Sequence, residues 1–223
     1  MAACAAAAEP VLSDAKFAAQ AGLVDITTLA PEIALDLRYA SSNNFVGQRI
    51  DGYHAARCFL LQPAAEALQR VEKRLSRDGF RLRLFDCYRP ARAVRHFVEW
   101  AGDLNDQVGK LHYYPNLEKS ALLGDYIAPV SGHSRGATVD LTLMDCRGKS
   151  AHCVPLDMGT DFDFFDPRAH TDAPDIRGIP HENRHRLLDA MALEGFRNYA
   201  LEWWHYSLDM EPAPETLFDV PIQ

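Results

Sequence analysis

The chain has 223 residues, 48% of them hydrophobic and 24% charged, with a net charge of −8. That is the composition of a globular protein long enough to bury a core, as one large domain or two small ones. Its acidity and its lack of basic clusters argue against a nucleic-acid partner, and no apolar run approaches the ~18 residues that a membrane span needs.

The first ten residues are rich in alanine but lack the basic start and long apolar core of a complete signal peptide. Residues 1–23 therefore read as a tail, or the remnant of a trimmed signal, ahead of a single domain at 24–223. Ala2-Ala3-Cys4 also has the form of a lipoprotein signal's end. Cys4 is then a candidate lipid anchor and the periplasm the expected compartment, with the cytoplasm as the alternative.

Ile33, Leu35 and Leu37 alternate with Ala34, Asp36 and Arg38, the pattern of a half-buried strand. Residues 41–52 form a polar loop, and Cys58 to Leu61 is a short apolar run, a strand or a lead-in to a helix. Pro63 opens a helix with a buried stripe of Leu68, Val71 and Leu75, and Gly79 stops it. Phe80, Leu82 and Leu84 alternate with Arg81 and Arg83 in a strand that delivers Asp86, Tyr88 and Arg89 to its end. Pro90 starts a further helix, running to about Ala101. Residues 102–130 show no clear period beyond a short helix near Leu117 to Leu123, and such an irregular stretch suits the wall of a cleft.

Ala137 to Leu143 reads as a strand with Thr138, Asp140 and Thr142 on its polar side. Cys146 and Cys153 bracket a polar loop and can pair in an oxidising compartment. Cys58 and Cys87 read as plain buried residues. Phe162 to Asp166 reads as a surface loop with aromatic anchors, Glu182 to Leu193 as a helix, and Phe196 to Tyr206 as a strand or extended segment. Strands and helices mix without a βαβ period. The expected fold is therefore α+β: a single domain with a mostly antiparallel central sheet flanked by helices and a zinc site at the sheet.

Two stretches carry the chemistry. Ser131 to Asp140 holds His133 and Asp140 seven positions apart, with Gly136 between them to turn the backbone. Glu202-Trp203-Trp204-His205 follows much later in the chain. A catalytic zinc takes three protein ligands and leaves a further position open. His133, Asp140 and His205 are the expected ligands of one Zn2+ per chain, and Glu202 the carboxylate left over to handle protons. Two indoles beside Glu202 would shield it and raise its pKa into a useful range. His112, His170, His181 and His185 read as surface or cleft residues rather than ligands. A zinc protease for large proteins would need a His-Glu-x-x-His helix, and that motif is expected to be missing from this chain.

The Ser-x-His-x-x-Gly-x-x-x-Asp spacing resembles that of the zinc D,D-peptidases acting on peptidoglycan precursors. Glu-Trp-Trp-His narrows the resemblance to the D-alanyl-D-alanine dipeptidases of peptidase family M15. Asp86-Cys87-Tyr88-Arg89-Pro90, Met158 to Asp163, and Asp36 to Ala40 with Asn43-Asn44-Phe45 resemble further segments of that family, so the likeness runs from about Val24 onward. Cys87 departs from the pattern, which has a small residue there, often Gly. The resemblance implies hydrolysis of D-alanyl-D-alanine to two D-alanines, with Glu202 as general base and Arg89 at the oxyanion. It also implies that Asp163 and Ser131 bind the dipeptide. The alternatives are a D,D-carboxypeptidase or muropeptidase acting on longer peptides through an open cleft, and a non-enzymatic binding protein that keeps its zinc for structure.

Overall fold

The computed structural model describes residues 10–148 and 152–223. Cys4, and with it the candidate lipid anchor, lies outside them. Among the described residues no helix is long and apolar enough to cross a membrane.

The chain begins with β1 (Val11–Leu12), β2 (Leu23–Asp25) and β3 (Ala34–Leu35), followed by β4 (Phe59–Leu61). Helix α1 (Gln62–Arg77) has Pro63 in its first turn, buries Leu68, Val71 and Leu75, and gives way to Gly79 at φ 77°. Next come β5 (Phe80–Asp86), α2 (Ala91–Gly102) and the single-turn α3 (Lys110–Tyr113). The second half holds β6 (Thr138–Asp145), β7 (Val154–Pro155), α4 (Ile179–Ala192), β8 (Phe196–Asn198), β9 (His205–Leu208) and β10 (Thr216–Leu217).

The main sheet runs β3-β5-β6-β9-β8, with β7 also paired to β6. It is mixed: β3 lies parallel to β5 while the other neighbours are antiparallel. Helices α1 and α4 pack on each other and against strands of the sheet. Elsewhere, Tyr39, Phe45, Phe97, Trp100 and Phe165 meet in an aromatic cluster around α2.

Several expectations are corrected here. Of the 33–38 alternation only Ala34 and Leu35 join the ladder, though Ile33 and Leu37 are buried. Strand β6 is buried on both sides, Thr138, Asp140 and Thr142 included, so its polar side faces a built interior rather than water. The 162–166 stretch is not a surface loop: Phe162, Asp163, Phe165 and Asp166 are all buried. Phe196 to Tyr206 is a hairpin, in which a turn at 199–204 separates β8 from β9. Helix α4 starts three residues before the expected position, with Pro180 in its first turn. The 117–123 helix is a single 3-10 turn at Lys119–Leu122.

Cys58 and Cys87 are not plain buried residues but a disulfide; Tyr88 N donates to Phe59 O beside it, holding the start of β4 against the end of β5. Cys146 and Cys153 form the second bridge.

Candidate metal centre

The two stretches meet at one end of the sheet. Register places Asp86 opposite Asp140 on β5 and β6, and Asp140 opposite His205 on β6 and β9. The β5–β6 ladder shifts between Leu84 and Asp86, an irregularity of the kind that re-aims side chains beside a site. His133 comes from a 3-10 turn, Gly132–Arg135, which leads into β6. The Ser131 hydroxyl caps that turn by accepting from His133 N at 3.3 Å. Gly136 ends it at φ 75°, and a Cβ there would lie 2.9 Å from Leu23 Cδ2. The conformation and the space both require glycine.

His133 Nε2 lies 3.3 Å from Asp140 Oδ2 and 3.3 Å from His205 Nδ1, and His205 Nδ1 lies 3.1 Å from Asp140 Oδ1. His133 Nδ1 is 2.7 Å from Cys87 O. A carbonyl only accepts, so Nδ1 carries the proton and Nε2 turns a lone pair into the triangle. Burial, aided by the Arg89 charge, holds the His133 imidazole below its usual range against the pull of Asp140. Asp140 Oδ1 is buried and makes no hydrogen bond. Two imidazole nitrogens and a carboxylate thus converge with too few protons between them. This arrangement fits a dication, and the donor set suits zinc.

Glu202 sits in the turn before β9, with Oε2 3.5 Å from His205 Nδ1. Trp203 and Trp204 are 2% and 1% exposed, so the expected apolar shield is present. Burial first, then the Asp140 charge, pushes the Glu202 carboxyl up to about 8, against the pull of Arg89. Arg89 follows β5. Its Nε donates to Asp86 Oδ2 at 2.9 Å, its Nη2 lies 3.5 Å from Asp140 Oδ2, and its guanidinium rests over Tyr39 and Phe97. Burial disfavours its charge, but Asp86 and its other anionic neighbours outweigh burial and hold it protonated.

Asp163 is buried at φ 60°, a left-handed conformation that a non-glycine residue adopts at a cost. Both its oxygens accept from Tyr39 Oη at 3.0 Å. Burial, then the charges of Asp140 and Glu202, raises its carboxyl well above the usual range. Ser131 stands half-buried on the pocket lining.

All seven expected residues line one cavity of about 270 Å³, just below the ~300 Å³ where small-molecule sites usually begin. The irregular 102–130 segment supplies a wall through Gly124 to Ala128, and Tyr199 Oη donates to Asp125 O at 3.1 Å to join that wall to the Glu202 turn. Two features of the site are not expected from the sequence. One is the Tyr39 hydroxyl. The other is the depth of Asp86, which is fully buried and bonded by Tyr53 Oη at 2.6 Å as well as by Arg89.

Residues 19–223 match the model of the peptidase M15 family, D-Ala-D-Ala dipeptidase. The chain is 42% identical to a D-alanyl-D-alanine dipeptidase of Streptomyces coelicolor over 199 residues, 88% of this chain and 96% of that one. It is 38% identical to an Enterococcus faecium D-alanyl-D-alanine dipeptidase over 203 residues, 91% of this chain and 98% of that one. Its identity to an Escherichia coli D-alanyl-D-alanine dipeptidase is 31% over 197 residues, 88% of this chain and 90% of that one. On the family match and on these identities over nearly the full lengths, the chain belongs to the D-Ala-D-Ala dipeptidase family of M15 peptidases.

Proposed function

We propose that this chain hydrolyses the free dipeptide D-alanyl-D-alanine to two D-alanines, using one zinc ion held by His133, Asp140 and His205. The observation that carries the substrate reading is Asp163. It is a buried carboxyl on the wall of a cavity of about 270 Å³, where burial and then the charges of Asp140 and Glu202 raise its pKa against the pull of Arg89 and the Tyr39 hydroxyl. A buried anion of this kind is stabilised by a cation, and a dipeptide's free ammonium is such a cation. The small volume and the Tyr199–Asp125 closure favour a dipeptide over the carboxypeptidase alternative, which needs an open cleft.

Zinc at these ligands supplies Lewis acidity to the scissile carbonyl and lowers the pKa of water towards ~7. Glu202 takes the proton of the attacking water and returns one to the leaving amine; burial raises its carboxyl above the usual carboxylate range, which suits it to hold the proton between the two steps. Arg89, fixed by Asp86 and two aromatic rings, faces the developing oxyanion. Its guanidinium cannot lose its charge there. Asp163 binds the ammonium, and Ser131 contributes to holding the dipeptide. The catalytic domain spans 24–223. Two disulfides support an oxidising compartment, the periplasm, and a role in peptidoglycan precursor metabolism.

The test is to measure alanine released from D-Ala-D-Ala, L-Ala-L-Ala and a pentapeptide ending in D-Ala-D-Ala. Turnover of the free D,D-dipeptide well above the other two is expected. Equal or better release from the pentapeptide would replace this reading with the carboxypeptidase one.

A further inference from the structure

Away from the catalytic cavity, a second set of ligand-type side chains meets at the surface. His181-Glu182-Asn183-Arg184-His185 spells His-Glu-x-x-His, contrary to the expectation that this motif is missing, and it lies in the first half of α4. Residues four apart on a helix share one face. The two imidazole rings are 4.3 Å apart between centroids and tilted by 33°. His185 Nε2 lies 2.9 Å from Asp172 Oδ1. One ligand atom from each of Asp172, His181 and His185 lies within 4.8 Å of the other two.

Asp172 is brought there by a buried framework. The guanidinium of Arg184, which is fully buried between the two histidines in sequence, donates to Met158 O, His170 O and Arg168 O at 2.7, 2.6 and 3.0 Å. Thr171 N donates to Ala200 O, and the Thr171 hydroxyl to Asn198 Oδ1. The chain on the amino-terminal side of Asp172 is therefore fixed against α4, while the Asp172 side chain, 75% exposed, keeps the freedom to close on an ion.

We propose that Asp172, His181 and His185 form a second divalent transition-metal site. Two imidazoles and one carboxylate suit Zn2+, Ni2+ or Cu2+, whereas Mg2+ and Ca2+ prefer oxygen alone. Donors within 4.8 Å reach the ~3.3 Å spacing of a shared ion by small rotations of exposed side chains. The three lie outside the catalytic cavity and the site opens to solvent, so the bound ion clamps α4 to the 168–172 segment and performs no chemistry. The proposal is independent of the catalytic reading. The ordinary alternative is a surface ion pair of His185 and Asp172 with His181 as a bystander.

The test starts from protein loaded with one equivalent of zinc and titrates further Zn2+ by calorimetry, with elemental analysis after desalting and thermal unfolding in parallel. The wild type is expected to take up a second equivalent. Its Tm should rise by roughly 5–10 °C at a hundredfold excess over Kd. His181→Ala/His185→Ala should bind one equivalent, show no such rise, and keep its turnover of D-Ala-D-Ala. Asp172→Asn, an exposed change that leaves the helix intact, should weaken the second equivalent at least tenfold and decides the matter if the double variant does not fold. A wild type that stops at one equivalent overturns the proposal, as does a second equivalent bound equally well by the variants.

Discussion

Replacing Glu202 by glutamine separates what this side chain does for the reaction from what it costs the fold. In the metal-free protein its pKa rises from 4.5 to about 8, mainly because it is buried. Each unit is worth about 1.36 kcal/mol, so the native state favours protonated Glu202 by at most about 5 kcal/mol. The sign follows from the raised value. This stability is fully present below pH 4.5 and is lost as pH rises from there through about 8, because the unfolded chain ionises Glu202 freely while the folded protein keeps it protonated. Glu202→Gln has no such titration. Metal-free variant and wild type, unfolded by denaturant at pH 5, 6, 7 and 8, should therefore diverge, with the variant gaining relative stability at each step. With zinc restored, the variant should keep its metal and lose ~10²–10⁴-fold in kcat. A stability difference that stays flat across this pH window would show that Glu202 is solvated. Near-normal turnover in the variant would remove it from the mechanism.

His205→Ala removes one corner of the donor triangle and should lose both zinc and activity; full zinc occupancy by elemental analysis would contradict the ligand set. Arg89→Ala should lower kcat by ~10²–10³ with little change in KM, and Arg89→Lys should recover only part of this because an ammonium lacks the planar fork. Steady-state kinetics showing a raised KM at unchanged kcat would make Arg89 a binding residue instead. Cys58→Ala/Cys87→Ala opens a loop closed across 29 residues. It should cost about 3–4 kcal/mol in denaturant unfolding under oxidising conditions, and an unchanged midpoint would mean that the bridge adds no stability.

The candidate metal centre was legible because its residue types are restrictive. His133, Asp140, His205 and Glu202 are the residue types that a metal and a proton carrier need, and the strand reading of 137–143 set Asp140 on the side where it meets His133 and His205. What the sequence concealed was set by distant contacts. Cys58 and Cys87 are 29 residues apart, and nothing local shows that β4 and β5 bring them together. The same bridge accounts for Cys87 where the family pattern has a small residue, directly beside the carbonyl that orients His133. The 162–166 stretch reads as a surface loop with aromatic anchors, but its burial and the left-handed Asp163 depend on Tyr39 and the aromatic cluster. The early start of α4 is signalled by Pro180 in the first turn, and the polar surroundings of His181 and His185 mask the His-Glu-x-x-His spelling at 181–185.

The central claim is that Asp163 makes this site one for a free dipeptide. The direct measurement is kcat/KM for D-Ala-D-Ala and for its N-acetylated form, in the wild type and in Asp163→Asn. Acetylation leaves the buried carboxylate with the Tyr39 hydroxyl but without a cation, at ~1–3 kcal/mol, and should lower kcat/KM of the wild type by roughly 5- to 150-fold. Asp163→Asn should lose activity on the free dipeptide and show little further loss on acetylation. Equal cleavage of the free and acetylated dipeptides by the wild type would contradict the account.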